Sequence, residues 1–113
     1  MLLLDSPAVE RAERLDGRRV EDLARIARAV DLYWTRHGQL PASLSELNRE
    51  PGVNISSNDP TTNVPYQYRS QESGTFEVCA RFERASPADA PGEVLWSHGE
   101  GRQCFRRTAR RIR

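Results

Sequence analysis

The sequence predicts an α+β domain: one long N-terminal helix packed on a small antiparallel sheet, with a short second helix between them. Three observations lead there. From Pro7 to Pro41 no proline intervenes, and apolar residues recur at helical spacing. Beyond Asp59-Pro60 the apolar period changes to two, as in strands with one buried face. At 113 residues, with 37% apolar and 29% charged side chains, the chain is one domain, 1–113, with enough apolar surface to fold.

The helix has a strong entry at Ser6-Pro7, an N-cap hydroxyl followed by a proline at the first helical position. Leu23, Ile26, Ala27, Val30, Tyr33, Trp34 and His37 form its apolar stripe, and His37-Gly38 ends it with a glycine suited to the left-handed C′ position. Ser43-Leu44-Ser45-Glu46 fits a capping box, so a second helix is expected near 44–49. Tyr66–Arg69 and Thr75–Glu83 alternate as strands around a turn at Gln71–Gly74, with Phe76, Val78, Ala80 and Phe82 on one face. A polar connection over 84–93 leads to a strand at Val94–Ser97, then a last strand near Gln103–Arg106, about four strands in all.

Between sheet and helices lies DPTTNVPYQY, dense in turn chemistry. Asp59 and Pro60 suit the first positions of a turn, Asn63 tolerates a left-handed backbone, and Pro65 opens a strand where no N–H is needed. An Asx-type turn explains Asp59 better than a calcium loop, which needs more carboxylates.

Charge is unevenly placed. All 17 basic residues are arginine, the net charge is +1, and six arginines follow Glu100 without an acid. That total favours no partner of one sign, and nucleic acid is not expected as a partner. Residues 108–113 read as a solvated basic tail, with contact to anionic lipid as the alternative. Before Leu23 the stripe thins to Val9, Ala12, Leu15 and Val20 among charged residues. Residues 1–22 are therefore expected to form a stalk held by i,i+4 pairs such as Glu10–Arg14 and Glu21–Arg25, leaving 23–107 as the head. No window of about 18 apolar residues spans a membrane. The opening MLLLD reads either as the end of an apolar anchor lying upstream or as an ordinary start.

Cys79 lies on the polar face of its strand and Cys104 on the last strand, 25 residues on. They are expected to form a disulfide, which implies an oxidising compartment; two free thiols are the alternative. His98 is the one candidate for chemistry, as a base beside Cys104 or a metal ligand beside Glu100. A third orienting group and further ligands are missing from the sequence, so the chain is expected to be no enzyme and to hold no cofactor or metal. Tyr66, Tyr68, Trp96 and His98 are the candidate interaction surface, with a place in the core as the alternative for Trp96.

The order RRVEDLARIARAVDLYWTRHGQLPASLSEL followed by DPTTNVPYQYR resembles the soluble part of type IV pilin-like proteins, most closely the major pseudopilin of type II secretion. Tyr33, Gly38, Leu40-Pro41, Leu44, Leu47, Asp59-Pro60, Asn63 and Pro65-Tyr66 stand at matching places. The C-terminal half, with Cys79-Ala80-x-Phe82 and Trp96-x-His98-x-x-Gly101-x-x-Cys104-Phe105, is similar to the soluble C-terminal region of a group of bacterial membrane proteins with no assigned activity. The resemblance implies a pilin-like head on the periplasmic face of the inner membrane, anchored by an upstream segment and acting through contacts with other proteins. A calcium loop near the C-terminus, common in secretion pseudopilins, has no counterpart here.

Overall fold

The computed structural model describes residues 6–86 and 96–112. Helix α1 runs over Pro7–His37 and α2 over Leu44–Asn48. Strands β1 (Gln67–Ser70), β2 (Thr75–Phe82) and β3 (Gly101–Thr108) form one antiparallel sheet in the order β1-β2-β3. The fold is α+β, a long helix on a small sheet, pilin-like in outline.

Both ends of α1 close as the sequence predicts. The Ser6 hydroxyl accepts from the Val9 N–H at 3.2 Å. Gly38, at φ 70°, donates its N–H to the Trp34 carbonyl at 2.8 Å. The capping box of α2 forms with one change. Ser43 Oγ accepts from the Glu46 N–H at 3.1 Å, but Glu46 reaches back to the N–H of Ala42, at 3.0 Å, one residue before the N-cap. That N–H, and next the Tyr33 hydroxyl, hold the Glu46 carboxyl below its ordinary range.

Leu23, Ile26, Val30 and Tyr33 of α1, Leu44 and Leu47 of α2, and Phe76, Val78, Phe82 and Phe105 of the sheet are buried in one cluster. Each large side chain removed from water in this way contributes roughly 1.5–3 kcal/mol. The turn from β1 to β2 is a 3₁₀ segment, Glu72–Gly74. Gly74, at φ 74°, lets α1 approach, because a Cβ there would lie 3.0 Å from the Trp34 ring. Of the strand expected at 94–97, Val94 and Leu95 lie outside the described residues. Trp96 is buried, edge-on to Phe105 at a centroid distance of 5.1 Å.

Two expectations about the chain ends are corrected. The part of α1 assigned to a stalk packs against the head well before Leu23: Ala12, Asp16, Arg19, Val20 and Asp22 are all buried. The ion pairs formed there are Arg19 with Asp16, Asp59 and Glu83, and Glu13 with Arg84, in place of the expected i,i+4 pairs. The C-terminal segment is docked, not frayed. Ala109 is buried and donates to the Gly74 carbonyl at 2.8 Å, the Arg110 N–H donates to Asp31 Oδ1 at 2.9 Å, and the Ile112 N–H to Thr35 Oγ1 at 2.7 Å. The first bond ties Ala109 to the β1–β2 turn and the other two tie residues 110–112 along α1, which a reading of side-chain charge alone does not foresee.

Gly17 is helical and nothing lies within 4 Å of the Cβ it lacks. Gly17→Ala is expected to stabilise the fold by about 0.5–1 kcal/mol, raising Tm by about 2–6 °C in a thermal melt. Gly74→Ala is expected to lower it, since the new methyl strikes Trp34 in a backbone conformation that L-residues resist.

Candidate functional site

The side chain with the most hydrogen bonds among the described residues is a buried cation. Arg19 leaves α1 only 3% exposed, and each of its five N–H donors has an acceptor. Nε and Nη2 grip the two oxygens of Asp59 at 2.7 and 3.1 Å; Nη2 also reaches Thr61 Oγ1 at 3.3 Å. Nη1 donates to Asp16 Oδ1 at 2.8 Å and to Glu83 Oε2 at 3.0 Å. Burial works against the Arg19 charge, but the bonds to Asp59, Glu83 and Asp16 outweigh it and hold the group above the usual arginine value.

The carboxylates around it have structural duties of their own. Asp16 accepts from the main-chain N–H groups of Glu83 and Arg84, each at 2.9 Å, and so closes the end of β2. Asp59 Oδ1 accepts from the N–H groups of Thr61 and Thr62 at 2.8 and 3.1 Å, the Asx turn expected from the sequence. Asn63, at φ 61°, completes that turn, and Asn58 bridges to Pro65. Burial pushes the Asp59 carboxyl up, but the Arg19 fork and the two turn amides more than offset it and leave it below its ordinary range. Both Asp59 oxygens are thus engaged, by the Arg19 guanidinium and by the turn amides.

The expected interaction surface is corrected by burial. Tyr66 is 6% exposed, and its hydroxyl donates to Asp22 Oδ2 at 2.6 Å. Burial raises Tyr66, aided by the Asp22 carboxylate, and burial raises the Asp22 carboxyl too, against the pull of the Tyr66 bond and of Arg18 and Arg25. Tyr68 is half-buried against the core and donates to the Pro41 carbonyl at 2.8 Å. Trp96 is in the core, with the Arg107 guanidinium 4.4 Å above its ring. A buried side chain offers a partner nothing, so Tyr66 and Trp96 are part of the packing.

His98 is half-buried, stacked on Phe82 at a centroid distance of 3.7 Å, with Nδ1 3.3 Å from the Gly99 carbonyl oxygen. Cys79 and Cys104 face each other across β2 and β3 and form the expected disulfide. Cys104 is therefore no thiolate for His98 to activate. The same bridge disposes of a possible metal cluster at Glu77, Cys79 and Cys104, whose ligand atoms lie within 4.8 Å of one another: disulfide sulfurs are not thiolate ligands. His37 also has a structural setting, over Tyr33 and with Nε2 2.9 Å from Glu50 Oε1.

Beside the Arg19 cluster lies a groove of about 600 Å³, between the N-terminal half of α1, the 59–67 loop and the end of β2. Leu15, Val64 and Phe82 supply apolar lining, and Arg11, Arg81 and Arg102 supply charge. Sequence reasoning missed both the groove and the cluster beneath it. One signal was present: 12, 16, 19, 23, 26, 30 and 33 alternate by four and three, so Asp16 and Arg19 stand on the same stripe as Leu23, Ile26, Val30 and Tyr33. Charges in phase with a buried stripe need partners supplied by another element.

Helix, sheet and cluster together define a helix-on-sheet α+β domain braced by an internal ion cluster. Comparison with protein-family models, with curated proteins and with solved structures finds no match. Among the described residues no helix is long and apolar enough to cross a membrane.

Arg19→Met leaves three acids around an apolar side chain and is expected to destabilise by about 3–5 kcal/mol in urea unfolding, because breaking a buried pair strands the remaining charge. The pH dependence follows from Asp59. Its folded value is depressed, so the stability it supplies is present above the unfolded carboxylate value and is lost as pH falls through the folded one. Asp59→Asn is expected to flatten the acid limb of a stability–pH profile below about pH 4. Asp22, raised by burial, has the opposite sign: Asp22→Asn removes a cost that is present only above its unfolded value.

Proposed function

We propose that this chain is the periplasmic head of a membrane-tethered, pilin- or pseudopilin-like protein, a non-enzymatic module that acts through protein contacts. The observation that carries the reading is the helix-on-sheet order joined to the Cys79–Cys104 disulfide. Such a bridge persists in an oxidising compartment and is rare in a reducing one. The order of long helix, Gly38 stop, short capped helix and DP…PY loop follows the resemblance element by element. The first turn of α1 is exposed at Pro7, Ala8 and Glu10, and Ser6 caps it in an extended conformation, so a membrane segment upstream would join the head through a break in the helix. With Tyr66 and Trp96 in the core, the surface for contacts moves to the outer face of the sheet and the groove beside Arg81.

Expression of the complete gene, followed by fractionation and thiol alkylation under non-reducing conditions, tests this. The expected result is a membrane-associated protein, open to protease in spheroplasts, with no alkylatable thiol. A cytosolic protein with two alkylatable thiols refutes the tether and the compartment together.

A further inference from the structure

β2 is eight residues long and β1 only four, and their ladder stops at Gln67–Cys79. Continued by two residues, it would set Pro65 opposite Arg81, and proline has no N–H to give. The chain turns aside there, with Pro65 bridging Asn58 and the Tyr66 N–H donating to the Ser57 carbonyl at 2.8 Å.

The register shows which way the Arg81 main chain faces. The Thr75 carbonyl accepts from Gln71 on the β1 side at 2.7 Å, and the Gly74 carbonyl from Ala109 on the β3 side at 2.8 Å. Alternate residues of a strand present N–H and C=O to the same neighbour, so Glu77, Cys79 and Arg81 face the β1 side with Thr75. The Cα atoms of Cys79 and Cys104 lie 4.0 Å apart, the close spacing of a non-hydrogen-bonded pair, as this assignment requires. Glu83, next in the series, already donates to Asp16. Arg81 thus turns its N–H and C=O to the groove side, with no main-chain partner among the described residues.

Charge at the groove is unbalanced in the same place. Arg11, Arg81 and Arg102 line it, and none of them has an acidic partner within 4.0 Å among the described residues. Arg102 instead donates to neutral Gln67 at 2.7 Å. Arg81 and Arg102 are directly opposite across β2 and β3, a like-charge pairing that disfavours the sheet. The acids nearby, Asp59 and Glu83, are already bound to Arg19.

We propose that this groove takes an extended peptide bearing acidic side chains, one residue of which pairs with Arg81 and adds to the open edge of β2. Main-chain pairing holds the peptide and arginines select its charge, as in strand addition to a sheet edge. Among the groove-lining residues, the aromatics Tyr66 and Phe82 are buried and leave no stacking platform of the kind single-stranded nucleic acid uses. The proposal rests on the reading of the chain as an interaction module and names the chemistry of its partner.

The test pans a randomised heptapeptide display library on the oxidised full chain, then measures binding of labelled enriched peptides by fluorescence anisotropy. Enriched sequences are expected to carry at least two acidic residues. They should bind Arg81→Glu and Arg11→Glu at least about tenfold more weakly, as expected when an interfacial charge is reversed. The Arg81 amide should shift and its exchange slow on binding, and proline at the pairing position of the peptide should abolish the effect. Both substitutions lie at exposed positions, and circular dichroism checks that the fold is kept. An absence of enriched peptides overturns the proposal, as does equal binding to both variants, an Arg81 amide that does not respond, or binding to phosphatidylglycerol vesicles alone. Failed peptide binding in a membrane-associated protein sinks the groove and spares the tether; peptide binding by a cytosolic protein does the reverse.

Discussion

The Arg19 guanidinium fixes how the long helix lies on the rest of the molecule. Apolar contacts between α1 and the sheet are strong but non-directional, and a stripe of Leu23, Ile26 and Val30 alone would tolerate a shift along the helix axis. A planar fork with five donors does not. Asp16 comes from the helix itself, Asp59 and Thr61 from the loop, and Glu83 from the end of β2, so one side chain sets the relative position of three segments. Burying that charge is unfavourable in itself. It is sustained because every donor is matched and no buried side-chain polar atom among the described residues lacks a partner.

Asp59 carries the constraint outward. The carboxylate that grips Arg19 also ties the N–H groups of Thr61 and Thr62, so the fork and the turn are one structure. Tyr66, a few residues on, makes the second tie to α1 through Asp22. Between these two anchors Pro65 is held out of register with β2, and β1 begins only at Gln67. The groove is therefore a consequence of how the loop is fastened.

Much of the fold was legible in the sequence because its signals are local. Ser6, Gly38, Ser43, Asp59 and Asn63 each act on backbone groups within a few residues, and the period-two run of β2 named its inner face correctly. The disulfide was legible for a related reason: once Cys79 was set on the polar face of β2, a partner on the next strand was geometrically natural. The Arg19 cluster was not, because Arg19 is separated by 40 residues from Asp59 and by 64 from Glu83, and charge reads as solvated until those partners are placed. Tyr66 misled in the opposite sense, and Trp96 was left open between surface and core. An aromatic with a polar edge suits either surface or core, and only the position of Asp22, or of Phe105 and Arg107, decides between them.

The fasteners of the fold also determine how much a partner would have to order. Two residues before Arg81, Cys79 is covalently joined to β3 and paired with Gln67; two residues after it, Glu83 is held through both its N–H and its carboxylate, by Asp16 and Arg19. The open edge of β2 thus lies between two fixed points. Ordering a mobile segment is a large part of what weakens association, and an edge already held in strand geometry avoids most of it. The ion cluster and the disulfide, which fasten the residues on either side of Arg81, by the same geometry hold that edge of β2 extended.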